Sequence, residues 1–324
     1  MFRGLHRTAL FAAAVAFVSC GPSRHTDNPF DEDADLPAGQ ALIEQGDYEK
    51  AATVFEALAK ESPDDPALHY YLGLAKAGLD DLAGAEAAYK RAIELDATLL
   101  EARSNLGVLL LGKGDLEAAR YELEACLDLD PEDADSHYNL GLALEASDLL
   151  AEAEKEFARA AELAPDDPLP LMALAEAARR AKRLDAALGW YEKAVKIAPG
   201  EPLVALGKAQ ILLDLKKGDE AAAALRAIEK MEAADATALA SAGLLLAKAG
   251  RDADAIDLYR AALGKDEKFP RAHVLLANAL ARAKKFDEAA AEFEKYLELA
   301  PDAEDADAAR KGIEACEKQA EKKP

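Results

Sequence analysis

The sequence predicts an all-α solenoid, a row of stacked helix-turn-helix pairs closed by one further helix. Three observations predict it. A unit of 34 residues recurs eight times from residue 32 onward, with no insertion or deletion. Within each unit the eighth and twentieth places are Gly or Ala, and the twenty-fourth is Phe, Tyr or Leu. The composition agrees, because 51% hydrophobic but only 6% aromatic content suits helices built on Ala and Leu.

The eighth place reads Gly39, Gly73, Gly107, Gly141, Ala175, Ala209, Gly243 and Ala277. The twentieth reads Ala51, Ala85, Ala119, Ala153, Ala187, Ala221, Ala255 and Ala289. The twenty-fourth reads Phe55, Tyr89, Leu123, Phe157, Tyr191, Leu225, Tyr259 and Phe293. Pro63, Pro131, Pro165, Pro199 and Pro301 fall at the thirty-second place. The small eighth and twentieth residues are expected to face each other and let the two helices of a pair approach closely. The bulky residue is expected to fill the gap toward the neighbouring pair. No pair buries its apolar face alone, so neighbours must share one continuous core.

The cleanest unit lies between Ser136 and Pro165. Leu140-Gly141 sits in its first helix, Ala153, Phe157 and Ala160 in its second, and Pro165 stops it. This resembles the tetratricopeptide repeat, which pairs Leu-Gly in helix one with Ala-x3-Phe in helix two before a Pro. The resemblance implies a right-handed superhelix of eight repeats: 32–65, 66–99, 100–133, 134–167, 168–201, 202–235, 236–269 and 270–303. It also implies that first helices line a concave groove that holds a segment of a partner protein.

At the start of the chain, Arg3, His6 and Arg7 precede an apolar run from Leu10 to Val18, then Ser19-Cys20. The run is too short to span a bilayer and has the outline of a signal peptide over 1–19. A small residue followed at once by Cys resembles a bacterial lipoprotein signal, although Phe17 stands where that family prefers Leu. The resemblance implies cleavage before Cys20 and lipidation of Cys20, and so an anchor in the bacterial cell envelope. No Asp follows Cys20, which by that family's sorting rule implies the outer membrane, facing the periplasm. Residues 20–31, rich in Pro, Gly, Ser and charge, read as a tether.

Pro37 and Gly39 are expected to interrupt the first helix of repeat one. Its second helix should run from Asp47 to Lys60, with Gly46-Asp47 as the turn and Asp47 as N-cap. Gly114-Asp115 repeats that device. Pro66, Pro168, Pro202 and Pro270 open their repeats, where a first-turn Pro is tolerated. The sixth repeat is the poorest: Lys208 replaces the usual Leu and Gly218-Asp219 lies two places late, so it should be the softest joint. Ala306, Ala309, Ile313 and Cys316 put an apolar stripe on a last helix, making 304–324 a capping helix and tail.

Acidic residues outnumber basic ones 62 to 39, a net charge of −23. Such a surface argues against nucleic acid and anionic lipid heads as partners. His69, His137 and His273 all occupy the fourth place of their repeats, which points to packing. Gly112-Lys113-Gly114 lacks the full phosphate-loop pattern and falls on a repeat turn. Cys126 takes the twenty-seventh place, where Ala92, Ala160, Ala194 and Ala262 stand in other copies, and reads as a small core residue. No nucleophile, metal cluster or acid/base pair emerges, so no cofactor, small-molecule substrate or enzymatic activity is expected.

The function expected is a protein-binding scaffold with an envelope protein as partner. The alternative is a structural spacer that packs through its outer surface. In the family the second, fifth, sixth, ninth, twelfth and thirteenth places face the groove. Here these include Tyr70, Tyr71, Asn105, Tyr138, Asn139, Met172, Glu176, Arg179 and Arg180. Asn105 and Asn139 share the sixth place, and their amides can both donate to and accept from a peptide backbone. Tyr70 and Tyr138 add apolar area with a polar tip. The family's carboxylate-clamp subclass uses Lys, Arg and Asn. The corresponding Leu36, Gln40, Tyr71, Glu101 and Asn105 keep one Asn and no basic residue, so that activity is not expected.

Overall fold

The computed structural model describes residues 35–321. Among them are seventeen α-helices, one short 3-10 turn and no strand. The helices come in pairs: α1 (Asp35–Glu44) with α2 (Tyr48–Glu61), α3 (Pro66–Gly78) with α4 (Leu82–Leu95), α5 (Leu100–Lys113) with α6 (Leu116–Leu129), and α7 (Ala134–Ala146) with α8 (Leu150–Leu163). Then follow α9 (Leu169–Arg180) with α10 (Leu184–Ile197), α11 (Pro202–Asp214) with α12 (Gly218–Ala227), α13 (Ala236–Lys248) with α14 (Asp252–Lys265), and α15 (Pro270–Arg282) with α16 (Phe286–Leu299). A last helix, α17 (Ala306–Ala320), follows the eighth pair. The chain divides into two compact units, one up to Ala164 and one from Pro165 onward.

The turn inside each pair has one design. The fifteenth place is left-handed in all eight repeats: Gly46, Asp80, Gly114, Asp148, Lys182, Lys216, Gly250 and Lys284. The next amide reaches back to the carbonyl five residues earlier, from Asp47 to Leu42 at 2.9 Å through Lys285 to Leu280 at 2.9 Å. This closes a Schellman cap on each first helix. The sixth repeat keeps the register too. Its turn is at Lys216, with Lys217 N donating to Leu212 O at 2.8 Å, and Gly218 instead begins α12. The lateness expected from Gly218-Asp219 is therefore not there: a lysine does the work of the missing glycine.

Packing explains the small residues, by a route that corrects the expected one. A methyl group added to Gly141 would lie 2.5 Å from the Phe157 ring. Gly39 against Phe55, Gly73 against Tyr89, Gly107 against Leu123 and Gly243 against Tyr259 repeat the contact. The eighth place is small because the bulky twenty-fourth residue of the same pair lies flat on it. The twentieth-place alanines are a separate requirement, and all eight are fully buried. The bulky side chain also reaches the next pair in places: Phe55 stacks on Tyr71 with centroids 5.4 Å apart, and Tyr191 would strike a side chain at Gly207.

Pro37 and Gly39 do not interrupt α1, which runs unbroken through both. Pro37 falls in the first turn, where its missing N–H has no intrahelical acceptor to lose. Gly39 is required by Phe55. The sixth pair is irregular in another way, since α12 has 10 residues where α2 and α14 have 14, and Ile228–Lys230 continue it as the 3-10 turn. On α17, Ala306, Ala309 and Cys316 are buried, and Gly312 lies against Phe293 of α16.

Two of the fourth-place histidines, His137 and His273, act as latches, while His69 reaches only Pro63 O, at 2.9 Å. His273 is buried, its Nε2 donates to Glu267 O at 2.9 Å, and its Nδ1 lies 2.6 Å from Glu292 of α16. His137 repeats this with Pro131 O at 3.2 Å and Glu156 at 2.7 Å. In repeat three Arg103 substitutes, reaching Ala97 O at 2.9 Å and Glu122 at 2.7 Å. Where the fourth place is Leu239, its counterpart is Leu258, and both are buried. Each latch ties an inter-repeat loop and both helices of its pair together.

Cys126 and Cys316 are both free and buried. The Cys126 Sγ lies 3.7 Å from Leu100 O, and burial pushes its thiol up to about 12. The expected signal peptide over 1–19, the expected lipidation of Cys20 and the expected tether over 20–31 lie outside the described residues. Among the described residues no helix is long and apolar enough to cross a membrane.

Candidate protein-binding face

Tyr70, Tyr71, Asn105, Tyr138 and Asn139 belong to the first unit, on the first helices of repeats two to four. All five are half-buried, so each is held by the fold yet keeps accessible surface. The small eighth place sets their footing. Because Gly73 and Gly141 let the Tyr89 and Phe157 rings lie against α3 and α7, those rings support the tyrosines beside them. Tyr70 sits 6.2 Å from the Tyr89 ring and Tyr138 sits 5.8 Å from the Phe157 ring. Tyr71 lies 5.1 Å from Tyr70 and is stacked on Phe55. Four rings thus form a continuous ladder, Phe55–Tyr71–Tyr70–Tyr89. Such offset and tilted pairs contribute ~0.5–1.5 kcal/mol each beyond area burial.

The polar groups on this face are ordered by the same ladder. Asn105 Nδ2 donates to the Tyr70 hydroxyl at 3.4 Å, linking repeat three to repeat two. Burial pushes the Tyr71 hydroxyl above its ordinary range, opposed by a hydrogen bond with Gln40 and aided by the Glu101 carboxylate. Tyr71 therefore stays a neutral phenol. Asn139 takes the same sixth place one repeat on from Asn105, and among the described residues its amide has no hydrogen-bond partner within the protein. It is a donor and acceptor presented beside an aromatic surface, and it can serve a peptide backbone.

The second unit holds Met172, Glu176, Arg179 and Arg180. Met172 is only 7% exposed. Repeat five puts a packing residue at the fifth place, where repeats two and four carry Tyr70 and Tyr138. Its helix α9 is buried over most of its surface, Leu171, Met172, Ala173, Leu174 and Ala175 in succession. The expected contact at Met172 is therefore corrected to a core role. Glu176 and Arg179 form an ion pair, with Arg179 Nε donating to Glu176 at 2.8 Å. Arg179 also lies 3.5 Å from Asp214, which accepts from Gln210 at 3.0 Å. The hydrogen bond to Glu176, ahead of the neighbouring carboxylate charges, holds the Arg179 guanidinium firmly protonated.

One feature of this unit extends beyond the expected groove places to the turns. A cleft of about 780 Å³ opens at the ends of α9, α11 and α13, where Arg179, Lys182, Lys216 and Lys248 surround Leu184, Leu213 and Leu245. The lining falls at the ninth to seventeenth places of repeats five to seven, on helix ends and the turns between them. Groove places include Gln210, Arg179, Leu213, Asp214 and Lys248 but miss Lys182, Leu184, Lys216 and Gly218 at the turns. The recurrent Lys at the fifteenth place, Lys182, Lys216 and Lys284, was the signal that could have found them.

A family model described as tetratricopeptide repeat matches residues 36–99, 101–168, 171–202 and 206–270, and a second of the same description matches 246–312. Among curated proteins, none matches the chain. Among solved structures, yeast Tom70 is similar with a TM-score of 0.63 at 24% identity, over 85% of this chain. The match spans 59% of the Tom70 chain. A tetratricopeptide repeat protein from Parabacteroides merdae is similar with a TM-score of 0.60 at 17% identity, over 76% of this chain and 97% of its own. At these identities the likeness concerns the fold.

Proposed function

Because the chain belongs to the tetratricopeptide repeat family, we propose that it is a non-enzymatic protein-binding scaffold of a bacterial envelope. In this reading a lipid on Cys20 anchors it at the outer membrane, facing the periplasm. It takes a segment of an envelope protein along the first-helix face of repeats two to four and serves the assembly of an envelope complex. The observation that carries the binding role is the aromatic ladder whose Tyr70 accepts from Asn105, with the unengaged Asn139 one repeat on. An extended peptide rises about 3.3 Å per residue. Packed helices lie about 8–10 Å apart, so equivalent places two helices on are roughly 10–20 Å apart. A segment of some three to six residues would reach both amides.

The binding role is tested by the triple change Asn105→Ala, Tyr138→Ala and Asn139→Ala, with pull-down from envelope extracts and thermal melting. Loss of the partner is expected with a chain that still melts cooperatively, lowered only by the lost Tyr138–Phe157 and Asn105–Tyr70 contacts. Retention of every partner at wild-type yield would move binding elsewhere and favour a spacer that packs through its outer surface. The anchor rests on the basic start, the apolar run from Leu10 to Val18 and Ser19-Cys20. Cys20→Ala should release the protein from membranes and abolish fatty-acid labelling. A variant still membrane-bound and labelled contradicts it.

A further inference from the structure

We propose that the turn edge of the second unit is a second docking surface, chemically distinct from the tyrosine-lined face, and that its cleft receives an acidic protein segment. The charge pattern is abrupt. The fifteenth and sixteenth places of repeats one to four carry five carboxylates, Asp47, Asp80, Asp81, Asp115 and Asp148, and no cation. The same places of repeats five to eight carry seven cations and no carboxylate: Lys182-Arg183, Lys216-Lys217, Arg251 and Lys284-Lys285. This happens in a chain of net charge −23.

Helix electrostatics do not explain the change. A cation beside a helix C-terminus is favourable, but the first-unit turns manage with Asp80 and Asp148 at the same place. The sixteenth place is also the N-cap of the second helix. There Asp47, Asp81 and Asp115 accept from the helix amides, whereas Arg183, Lys217, Arg251 and Lys285 make no side-chain cap. A cation at that end opposes the helix dipole. Lys182, Lys216 and Lys284 are moreover left-handed, with φ of 59, 65 and 59, where glycine is easier. Arg251 pairs with Asp219 and Asp254 and Lys285 with Glu288, so the cations of this edge left without an ion pair at the cleft are Lys182 and Lys216, each at a left-handed position.

The cleft shows what would bind. Lys182 and Lys216 are exposed on its rim, and among the described residues neither has an ion-pair partner. Leu184, Leu213 and Leu245 give it apolar walls. Arg179 is already paired with Glu176 and Asp214, so the free cations are Lys182 and Lys216, and two free cations above an apolar floor match a segment in which Asp or Glu flanks Leu-like side chains. Asp214 in the lining and the overall negative charge both disfavour a long polyanion such as nucleic acid or an anionic membrane. A short segment lies within about a Debye length of the lysines and feels chiefly their local field. Of the places compared with the carboxylate clamp, only the ninth contributes to this cleft, as Gln210, and the free cations Lys182 and Lys216 stand at the fifteenth place.

The test uses the full chain and a fluorescein-labelled, end-blocked octapeptide alternating Asp or Glu with Leu, read by anisotropy. Lys182→Gly with Lys216→Gly removes both cations and relieves two left-handed lysines, so lost binding cannot reflect unfolding if the melt is not lowered. Lys265→Ala with Lys268→Ala makes the same charge change away from the turn edge. The acidic peptide should bind the wild type and the Lys265/Lys268 control alike. It should bind the Lys182/Lys216 variant about tenfold more weakly, a change of about 1.4 kcal/mol. The Asn/Gln version of the peptide should not bind. Equal binding by the Lys182/Lys216 variant, equal binding of the neutral peptide, or no binding of the acidic one overturns the proposal. So does tighter, Lys182- and Lys216-dependent capture of an oligothymidylate or of phosphatidylglycerol vesicles, which would assign the edge to nucleic acid or membrane. Asn105, Tyr138 and Asn139 substitutions should leave peptide binding unchanged, which separates this surface from the first-unit face.

Discussion

Glycines at different places in this chain are there for different reasons, and substitution should expose the difference. Gly141 carries the Phe157 ring, and an added methyl group at 2.5 Å from it forces the ring or the helix to move. Gly141→Ala is expected to cost ~1–3 kcal/mol by overpacking. Gly189, within α10, has nothing within 4 Å of an added methyl. Gly189→Ala is expected to stabilise by ~0.5–1 kcal/mol, because only helix propensity changes. Denaturant melts of the two variants check both signs. Cys126 supplies a pH dependence. An ordinary thiol titrates near 9.0, and burial pushes that of Cys126 up to about 12 in the fold. The folded state therefore holds its proton more tightly than the unfolded one. The stability this linkage supplies is complete below pH 9 and is lost as the pH rises through about 12. Cys126→Ala, the residue of other repeats, should flatten that part of the alkaline loss. Parallel alkaline curves for the two proteins would contradict the buried-thiol account.

Among the elements, the second helices of the second unit are the least well begun. Lys285 precedes α16 with no side-chain cap, and Asp287 and Glu288 supply the acid of the first turn. Lys285→Asp restores the cap that Asp81 gives α4 and is expected to stabilise by ~1 kcal/mol. If function holds cations along this edge, stability is available there by removing them. The sixth pair is the other weak element. Its helix α12 is short, follows Lys217, which makes no side-chain cap, and ends in a 3-10 turn. Its interior is nonetheless closed, with Leu225 and Ile228 fully buried. Weak ends around a sound core should make local opening easier without a loose interior. Amide exchange is therefore expected to be faster over residues 218–230 than over 150–163, and uniform protection would count against it.

At the scale of the molecule, much was legible because a repeat states its packing rule eight times. Ala at the twentieth place and a bulky twenty-fourth residue are visible in any window, and the helix pairs follow. The contact they make was less legible: periodicity shows that Gly141 and Phe157 recur, not that one lies on the other. The turn at Lys216 was hidden because a lysine holds a left-handed backbone that a reader expects to find as Gly. Met172 was misplaced because family place numbers ignore how deeply one helix is buried. The cationic edge was missed because net charge sums over the chain, whereas Lys182 and Lys216 matter by their shared place. The central claim is that this is a binding scaffold whose first-helix face in repeats two to four holds the partner. Hydrogen–deuterium exchange of the full chain, alone and with its captured partner, tests it most directly. Slowed exchange over residues 66–78, 100–113 and 134–146, with the second helices of those pairs unchanged, is the expected result. Protection confined to the second helices 82–95, 116–129 and 150–163 would contradict it.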